Sequence, residues 1–319
     1  MMVVQSSESS RTELDRLSEE FLEHMEIERQ ASPLTIRNYK QYLGRFSEWF
    51  KRQNIKARPS SIDLDKIKKY RVYLARFTAP NGQLLSRSTQ AYHVIALRSF
   101  LKWLNKNDYQ TLSPEKVDIP KGKSRSVKFL STEQVERLLS QPLPSQKTGL
   151  RDKVILEVLF STGMRVSELV SLNRDQIDLK RREFGIVGKG RESRVVFLSE
   201  RAVKWLTKYL ASRQDAWKPL LVNYRGKEEG ITDGEKKRLT ARSVQRIVDK
   251  YSKKARLPMK VTPHVLRHSF ATDLLVAGAD LRAVQEMLGH KSVQTTQIYT
   301  HVTNRQLRSI HETFHGKGK

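Results

Sequence analysis

The sequence has no cysteine, no long hydrophobic run and few acidic residues relative to basic ones. The absence of cysteine excludes disulfides and cysteine-based metal sites. Histidine and carboxylate side chains are present, but no H-E-x-x-H spacing occurs, so we find no metal-binding motif. No stretch of about 18 apolar residues is found, and we expect no membrane span. The N-terminal residues also lack the apolar core of a signal peptide, so we expect a cytoplasmic protein.

The excess of basic residues points to a polyanionic partner. Sixty Lys and Arg stand against 34 Asp and Glu, which gives a formal net charge of +26 over 319 residues. Nucleic acid is the default partner for such a chain. A basic protein of the ribosomal kind also fits the charge, but it does not fit two well-patterned helical regions. Residues 1–30 are the exception, because they hold eight acidic and three basic residues. We therefore expect the first helix to serve packing or subunit contact.

Residues 10–112 are expected to form an all-helical domain. Apolar residues recur at helical spacing in four segments, and three of these segments follow a residue or pair typical of a helix start. These starts are Ser10 with Glu13, Ser32 with Pro33, and Ser88, and the remaining helix is expected near Leu64 to Phe77. Residues 113–127 contain two prolines, one glycine and several bases, which indicates an extended, solvated linker.

Residues 128–319 are expected to form a second, mostly helical domain with a small β-hairpin. Ser131 and Gln134 make a capping box, and Asp152 to Thr162 is an apolar helix that Gly163 ends. Glu183 to Val187 and Arg194 to Leu198 are two β-prone runs joined by a basic tip with two glycines. A later helix carries two bases four residues apart, Arg242 and Arg246. These are candidate DNA contacts, although a solvated helix face explains them equally well.

The last quarter of the chain concentrates chemically capable residues. Thr262 and Pro263 are typical of a helix start, and His264 and Arg267 then share one helical face. The chain turns at Gly289, presents His290 and reaches Tyr299 on a polar segment. A phenol with a pKa near 10 is a poor nucleophile unless positive charge favours the phenolate. Fixed cationic donors beside Tyr299 therefore suggest attack on a phosphate.

These motifs resemble the tyrosine recombinases, the phage-integrase-like family, and within it the Xer chromosome-dimer recombinases. The resemblance rests on H-x-x-R-H at His264, Arg267 and His268, on L-G-H ending at His290, and on Tyr299 nine residues later. The run S-T-G-M-R-V-S-E-L around Arg165 matches the family's first arginine motif. The resemblance implies a two-domain DNA clamp whose helical core-binding domain is SAM-like. It also implies a catalytic set of Arg165, Lys189, His264, Arg267, His290 and the nucleophile Tyr299.

Three neighbouring residues receive weaker assignments. Glu168 is expected either to orient Arg165 or a histidine, or to be a surface acid. His268 is interpreted as a structural histidine behind the arginine. Arg191, at the tip of the hairpin beside Lys189, is a candidate contact to the DNA backbone.

The resemblance implies cleavage and rejoining of DNA through a 3′-phosphotyrosyl intermediate and a Holliday junction. The covalent link conserves the phosphodiester energy, and fixed cations replace a metal, so we expect no cofactor. The implied role is resolution of chromosome or plasmid dimers, which serves chromosome partition and cell division. Alternatives are a mobile-element integrase and a type IB topoisomerase-like nicking-closing enzyme. A non-catalytic DNA-binding protein is the alternative from another class.

Strand exchange implies several subunits on double-stranded DNA with a two-fold site. We expect a homotetramer, or a heterotetramer with a second recombinase, and a DNA translocase as a further partner. An apolar stripe near the C-terminus is the candidate contact between subunits, with packing on its own domain as the alternative. The stripe consists of Leu307, Ile310 and Phe314.

Overall fold

The computed structural model describes residues 11–120, 128–188, 193–226 and 232–289. The chain divides into two compact units, Met1–Ser124 and Arg125–Lys319, each with its own hydrophobic core. The described part is mainly helical with a two-stranded sheet, which confirms the predicted fold class. Within these ranges no helix is long and apolar enough to cross a membrane.

The described part of the first unit is built from four α-helices, and each begins at a side-chain cap. The N-cap residues Thr12, Ser32, Asp63 and Ser86 each accept a hydrogen bond from a backbone N–H in the first turn. Helix α2 packs against α1 and α4, and α3 packs against α4. The helices are α1 (Glu13–Ile27), α2 (Pro33–Arg52), α3 (Leu64–Arg76) and α4 (Arg87–Lys106).

Two predicted helix starts in this unit are wrong by two residues. Helix α1 begins after Thr12 rather than Ser10, because Thr12 and Asp15 cap each other's backbone N–H groups. Asp15 also accepts a hydrogen bond from Ser47 and pairs with Lys51 of α2, so tertiary contacts fix the cap. Helix α4 likewise begins after Ser86 rather than Ser88.

The segment predicted to be a solvated linker is partly packed. Pro114–Lys116 forms a short 3-10 helix beside α4. Pro114 is buried, and Val117, which is 1% exposed, belongs to the core of the helical unit. Burial of apolar surface therefore holds this first part of the segment on the helices. Residues 121–127 lie outside the described residues.

The second unit contains seven helices and one hairpin in its described part. The helices surround a large apolar cluster, and a smaller cluster lies between the last two of them. The elements are α5 (Thr132–Leu139), α6 (Lys147–Thr162), α7 (Val166–Ser171), β1 (Glu183–Val187), β2 (Ser193–Phe197), α8 (Glu200–Ala211), α9 (Ala241–Lys254), α10 (Pro263–Val276) and α11 (Leu281–Leu288).

Helix α6 is the centre of this unit. It is buried along nearly its whole circumference and packs against α5, α8, α9 and α10. A helix that is buried on all sides is expected in the middle of a core. It begins at Lys147, five residues before the predicted start, and it ends at Gly163 as predicted. Because α6 touches α10, its C-terminal end can meet the helix that carries Arg267.

The hairpin is the predicted one, with its second strand one residue earlier. Strands β1 and β2 pair antiparallel, with Glu183 opposite Phe197 and Val187 opposite Ser193. Side chains alternate across the two faces, so Val196 is buried while Val195 and Phe197 are exposed. Strand β2 packs against α6 and α11, which brings the start of β2 close to the end of α11.

Candidate active site

Arg165 is fixed by the turn between α6 and α7. Gly163 ends α6 in the left-handed region, with φ of 58°, and its N–H bonds the Leu159 carbonyl at 3.1 Å. A Cβ at this position would lie 2.2 Å from Cδ1 of Phe270 on α10. Glycine is therefore required both by the backbone conformation and by the close approach of α10. Arg165 follows two residues later as the N-cap of α7.

Arg267 lies on α10, which begins at the predicted cap. Thr262 accepts the hydrogen bond from the Val265 N–H, and Pro263 is the first helical residue. The Arg267 side chain is almost fully buried, with 5% of its surface exposed. Its Nη1 donates to the Gly163 carbonyl at 2.7 Å, and its Nη2 donates to the Leu288 carbonyl. The turn that presents Arg165 is thus held directly by Arg267.

Glu168 is a buried carboxylate that binds two arginines. It is 6% exposed, so the alternative that it is a surface acid is wrong, and it orients Arg165. Its oxygens accept from the Arg165 backbone N–H at 2.8 Å and from Arg165 Nη1 at 2.9 Å. Burial raises the pKa of this carboxyl, but hydrogen bonds from Arg194 and from Arg165 outweigh burial and hold the pKa below its usual value.

Arg194, on β2, is a residue of this site that the sequence analysis left without a role. Its Nη1 and Nη2 bind the two oxygens of Glu168 at 3.0 and 2.8 Å, and its Nε donates to the Met287 carbonyl at 3.1 Å. A pattern that could have identified it was present. Arg194 lies two and four residues before Val196 and Leu198, which are both buried, so alternation places a charged residue on the inward face of a strand.

The C-terminal end of α11 joins these residues. Helix ends leave carbonyl groups without helical partners, and here three consecutive ones accept from arginines of three different elements. Arg194 binds Met287, Arg267 binds Leu288, and Arg165 binds Gly289 at 3.0 Å. Gly289 has φ of 64°, as predicted for the turn before His290. The arrangement suits the negative end of the helix dipole, which attracts cations.

The two described histidines of the motif lie beside these arginines. Partial desolvation of the imidazole lowers the pKa of His264, and the positive charges of Arg267 and Arg165 lower it further. Burial also lowers the pKa of His268, together with the charges of His264 and Arg267. Both imidazoles are therefore neutral at pH 7. His264 is exposed and His268 is half-buried, in keeping with the inward position predicted for His268.

The structure brings together only part of the predicted set. Arg165, Arg267, Glu168 and the two histidines are clustered. Arg242 and Arg246 lie exposed on α9, on the face opposite the buried Val244 and Val248. The other predicted residues lie outside the described ranges: Lys189, Arg191, His290, Tyr299, Leu307, Ile310 and Phe314. In the ranges that are described, no group of three or more histidine and carboxylate residues could hold a metal ion.

This geometry is suited to binding a phosphate. Arg267 is buried and tied to backbone carbonyls, while the Arg165 side chain keeps 31% of its surface exposed. Guanidinium groups present fixed pairs of N–H donors that match phosphate oxygens. A neutral His264 beside them can donate one hydrogen bond and accept another. The cluster thus combines permanent positive charge with a group able to accept a proton.

Comparison with known proteins identifies the family to which this chain belongs. Residues 128–306 match the Phage integrase family, and residues 18–108 match the Phage integrase, N-terminal SAM-like domain. The chain therefore belongs to the phage integrase family, as its motifs predicted.

Curated relatives narrow the similarity to Xer recombinases. A Tyrosine recombinase XerC of Pelotomaculum thermopropionicum is 36% identical over 304 residues, which cover 94% of this chain and 97% of that protein. A Tyrosine recombinase XerC of Proteus mirabilis is 34% identical over 300 residues, covering 94% and 93%. The predicted resemblance to the Xer group is confirmed.

Solved structures agree on the fold. The XerH site-specific recombinase bound to difH substrate, in a pre-cleavage complex, has a TM-score of 0.68 and 25% identity. That alignment covers 96% of this chain and 84% of the other. The Tn1549 transposon integrase in complex with transposon right end DNA has a TM-score of 0.70 over 93% and 99% of the two chains. At 18% identity this second match shows a shared fold only.

Proposed function

We propose that this chain is a site-specific tyrosine recombinase of the Xer type that cleaves and rejoins double-stranded DNA. The observation that carries the proposal is that Arg165 and Arg267 both bind the C-terminal end of α11. Both guanidiniums are held by adjacent backbone carbonyls, in a chain whose relatives are named tyrosine recombinases. The net charge of +26 supports a nucleic-acid substrate.

In the proposed reaction, Tyr299 attacks the scissile phosphorus. The phenolic proton passes to His264, whose neutral imidazole can accept it. Arg165 and Arg267 bind the non-bridging oxygens and stabilise the charge of the transition state. The bond from phosphorus to the 5′ oxygen breaks, and that oxygen takes a proton from Lys189. The products are a 3′-phosphotyrosyl enzyme and a free 5′-hydroxyl, and His290 adds a hydrogen bond to the phosphate.

Covalent trapping tests the nucleophile. A binding site is first selected from a random duplex library with the purified chain, and a nicked version then serves as a suicide substrate. We expect the wild-type protein to form a covalent adduct, and Tyr299→Phe to bind the same duplex without forming one. Tyr92→Phe is a matched control because Tyr92 is 56% exposed on the other unit. An adduct with Tyr299→Phe would show that another residue is the nucleophile.

A substrate with a modified leaving group distinguishes the proposed role of Lys189 from that of Arg267. A 5′-bridging phosphorothiolate releases a thiolate, which needs no proton. It should therefore rescue Lys189→Ala but not Arg267→Ala, because the phosphate charge is still present. The opposite pattern of rescue would reverse the two assignments.

We propose dimer resolution by a tetramer on two paired sites, with the Leu307, Ile310 and Phe314 stripe contacting a neighbouring subunit. Burial of these three side chains is worth roughly 4–8 kcal/mol before association costs, too little to hold free subunits together. We expect a monomer in solution. Deletion after Thr303 should spare half-site binding and abolish recombination. A lower melting temperature of the truncated monomer would instead indicate packing within one subunit.

The identity of the selected site separates the remaining roles. A site at the replication terminus supports chromosome dimer resolution, with a DNA translocase and a second recombinase as candidate partners. A site at the ends of a mobile element supports integration. Relaxation of supercoiled DNA by single monomers, without exchange between duplexes, would indicate nicking-closing activity.

A further inference from the structure

Arg194 is a partly buried arginine that has no role in the proposed reaction. Its side chain is 12% exposed, and it makes a two-point contact with the Glu168 carboxylate and a third bond to the Met287 carbonyl. An arginine fork that binds both oxygens of one carboxylate is strongly oriented. Arg194 therefore holds its three acceptors in one fixed geometry.

Arg194 and Arg165 share the same carboxylate. Glu168 Oε1 accepts from Nη1 of both arginines, while Oε2 accepts from Arg194 Nη2 and from the Arg165 backbone N–H. One negative charge is thus set against two positive charges. If Arg194 were absent, Glu168 would balance Arg165 alone, in a site where burial strengthens electrostatic attraction. Arg165 would then have less net charge to offer a phosphate.

The third bond of Arg194 acts on the end of α11. The Met287 carbonyl precedes the two carbonyls that bind Arg267 and Arg165. Gly289 also lies against Arg194, since a Cβ there would approach Arg194 Nη1 to 2.9 Å. Arg194 thus fixes the position of the backbone to which both phosphate-binding arginines are bound.

We propose that Arg194 is a positioning residue for DNA cleavage. It neutralises Glu168, so that Arg165 keeps its charge for the scissile phosphate, and it anchors the end of α11 beneath Arg165 and Arg267. This inference rests on the proposed recombinase function, because it assigns Arg194 a role in the same site.

The test compares rates of covalent adduct formation at saturating nicked duplex of the selected sequence. Arg194→Ala should lower the rate by about 10- to 100-fold, the range typical of residues that support an active-site group. Arg194→Lys keeps the charge but loses the fork, and it should give an intermediate rate. Arg182→Ala is the matched control, since Arg182 lies next to β1 and makes an exposed pair with Glu200. Its rate should equal that of the wild type.

A second substitution separates positioning from a general loss of folding. Glu168→Gln removes the unbalanced charge, so Arg194→Ala with Glu168→Gln should cleave several-fold faster than Arg194→Ala alone. A rate for Arg194→Ala within twofold of wild type, or no gain in the double variant, would overturn the proposal. If Arg194→Ala does not fold, Arg194→Lys carries the test, and a wild-type rate from it has the same meaning.

A measurement without DNA keeps this inference distinct from the proposed function. In the wild type the pKa of Glu168 is below its ordinary value of 4.5, so its ion pairs stabilise the fold above that pH and this stability is lost as pH falls below it. The melting temperature of Arg194→Ala should therefore lie furthest below that of the wild type near pH 7, and the gap should narrow as the pH falls below 4.5. A gap independent of pH would count against the Glu168 pairing. Failure of the wild type to form any adduct would instead overturn the proposed function.

Discussion

The buried interiors of the two units differ in their amino-acid composition. The described core of the first unit is rich in aromatic rings, and its buried polar side chains are Ser47 and His93. Neighbouring rings lie at centroid distances such as 4.8 Å between Phe46 and Tyr70. The described part of the second unit buries many ionisable side chains. These are Arg151, Asp152, Lys153, Glu157, Glu168, Arg213, Lys237 and Arg267.

The two kinds of interior contribute different properties, namely stability of the fold in the first unit and preorganised charged side chains in the second. Aromatic packing stabilises a unit through burial and ring contacts, without the desolvation cost of charge. Buried ion pairs often add little net stability, because removing charges from water costs nearly what their attraction returns. What buried ion pairs provide is a fixed orientation of the charged side chains. In the second unit, the buried charges near Arg165 fix the geometry of the proposed phosphate site. Several of the others bind backbone carbonyls elsewhere in the unit, namely Arg151, Lys153, Arg213 and Lys237.

The largest expected effect distinguishes functional from structural buried arginines. Arg267→Ala should lower adduct formation by about 1,000-fold, since it removes a fixed donor to the phosphate. Arg213→Ala is the control, because Arg213 is also buried and binds the Pro219 and Leu220 carbonyls, outside the site. Both variants should lose stability, as each leaves buried carbonyls unpaired. Rates are measured per folded molecule, and equal losses of cleavage would remove the distinction.

Removal of one aromatic ring from the core of the first unit should destabilise that unit and leave the second unit folded. Phe50 is fully buried in the first unit, with its ring 4.9 Å from that of Phe46. Phe50→Ala should destabilise this unit by about 3–5 kcal/mol. Hydrogen exchange followed by mass spectrometry should show faster exchange in peptides from residues 11–120 and unchanged exchange in those from 128–289. Equal acceleration in both would mean that the two cores unfold as one.

Acid should weaken the aromatic unit through its one buried histidine. Burial and then the charge of Arg45 lower the pKa of His93 from 6.5 to about 4. The unfolded chain takes up this proton below about pH 6.5, whereas the folded chain does so only near pH 4, so stability falls within that window. The loss approaches about 3 kcal/mol.

The matched variant for this prediction is His93→Gln. It retains an acceptor for Arg45, which donates to His93 Nε2 at 3.1 Å, but it cannot titrate. Urea unfolding at pH 7 and at pH 4.5, read by pulse-labelled exchange in residues 11–120, should show a smaller pH effect in this variant. Asp15 does not interfere, because its pKa is lowered to about 2. An unchanged pH effect would assign the acid sensitivity to other groups.

The smallest effects come from one glycine in each unit and should have opposite signs. Gly163→Ala should cost about 1–3 kcal/mol, because position 163 has positive φ and Phe270 occupies the space of a Cβ. Gly44→Ala should stabilise α2 by about 0.5–1 kcal/mol, since Gly44 is helical and nothing lies within 4 Å of a Cβ there. Thermal melting measures both changes, and destabilisation by Gly44→Ala would contradict this reading.

Sequence reasoning found the features that are local. The reciprocal capping of Ser131 and Gln134, the left-handed Gly163 and the start of α10 at Thr262 are all as predicted, because each depends on a few adjacent residues. The start of α6 was placed too late, since the charged Arg151, just before the predicted start, interrupts the apolar pattern although it is buried. One of its partners is distant in sequence, because Arg151 Nη1 binds the Val222 carbonyl.

The site was predicted through its side chains but not through its backbone. Arg165 and Arg267 carry a recognisable motif, whereas the carbonyls that hold them have no sequence pattern. Arg194 was missed because its role depends on Glu168 and Met287, which are 26 and 93 residues away. Only the inward position on β2 marked Arg194 as unusual.

The end of α11 also sets when the arginine cluster can be completed during folding. The arginines that bind its last carbonyls lie 124, 93 and 21 residues earlier in the chain. Contacts of such long sequence separation form late, after the loops between them have closed. A nascent chain still lacking α11 can form the bond from Arg267 to the Gly163 carbonyl, but it lacks the Leu288 and Gly289 carbonyls that also hold Arg267 and Arg165. We therefore expect the arginine cluster to be complete only in molecules in which α11 has folded.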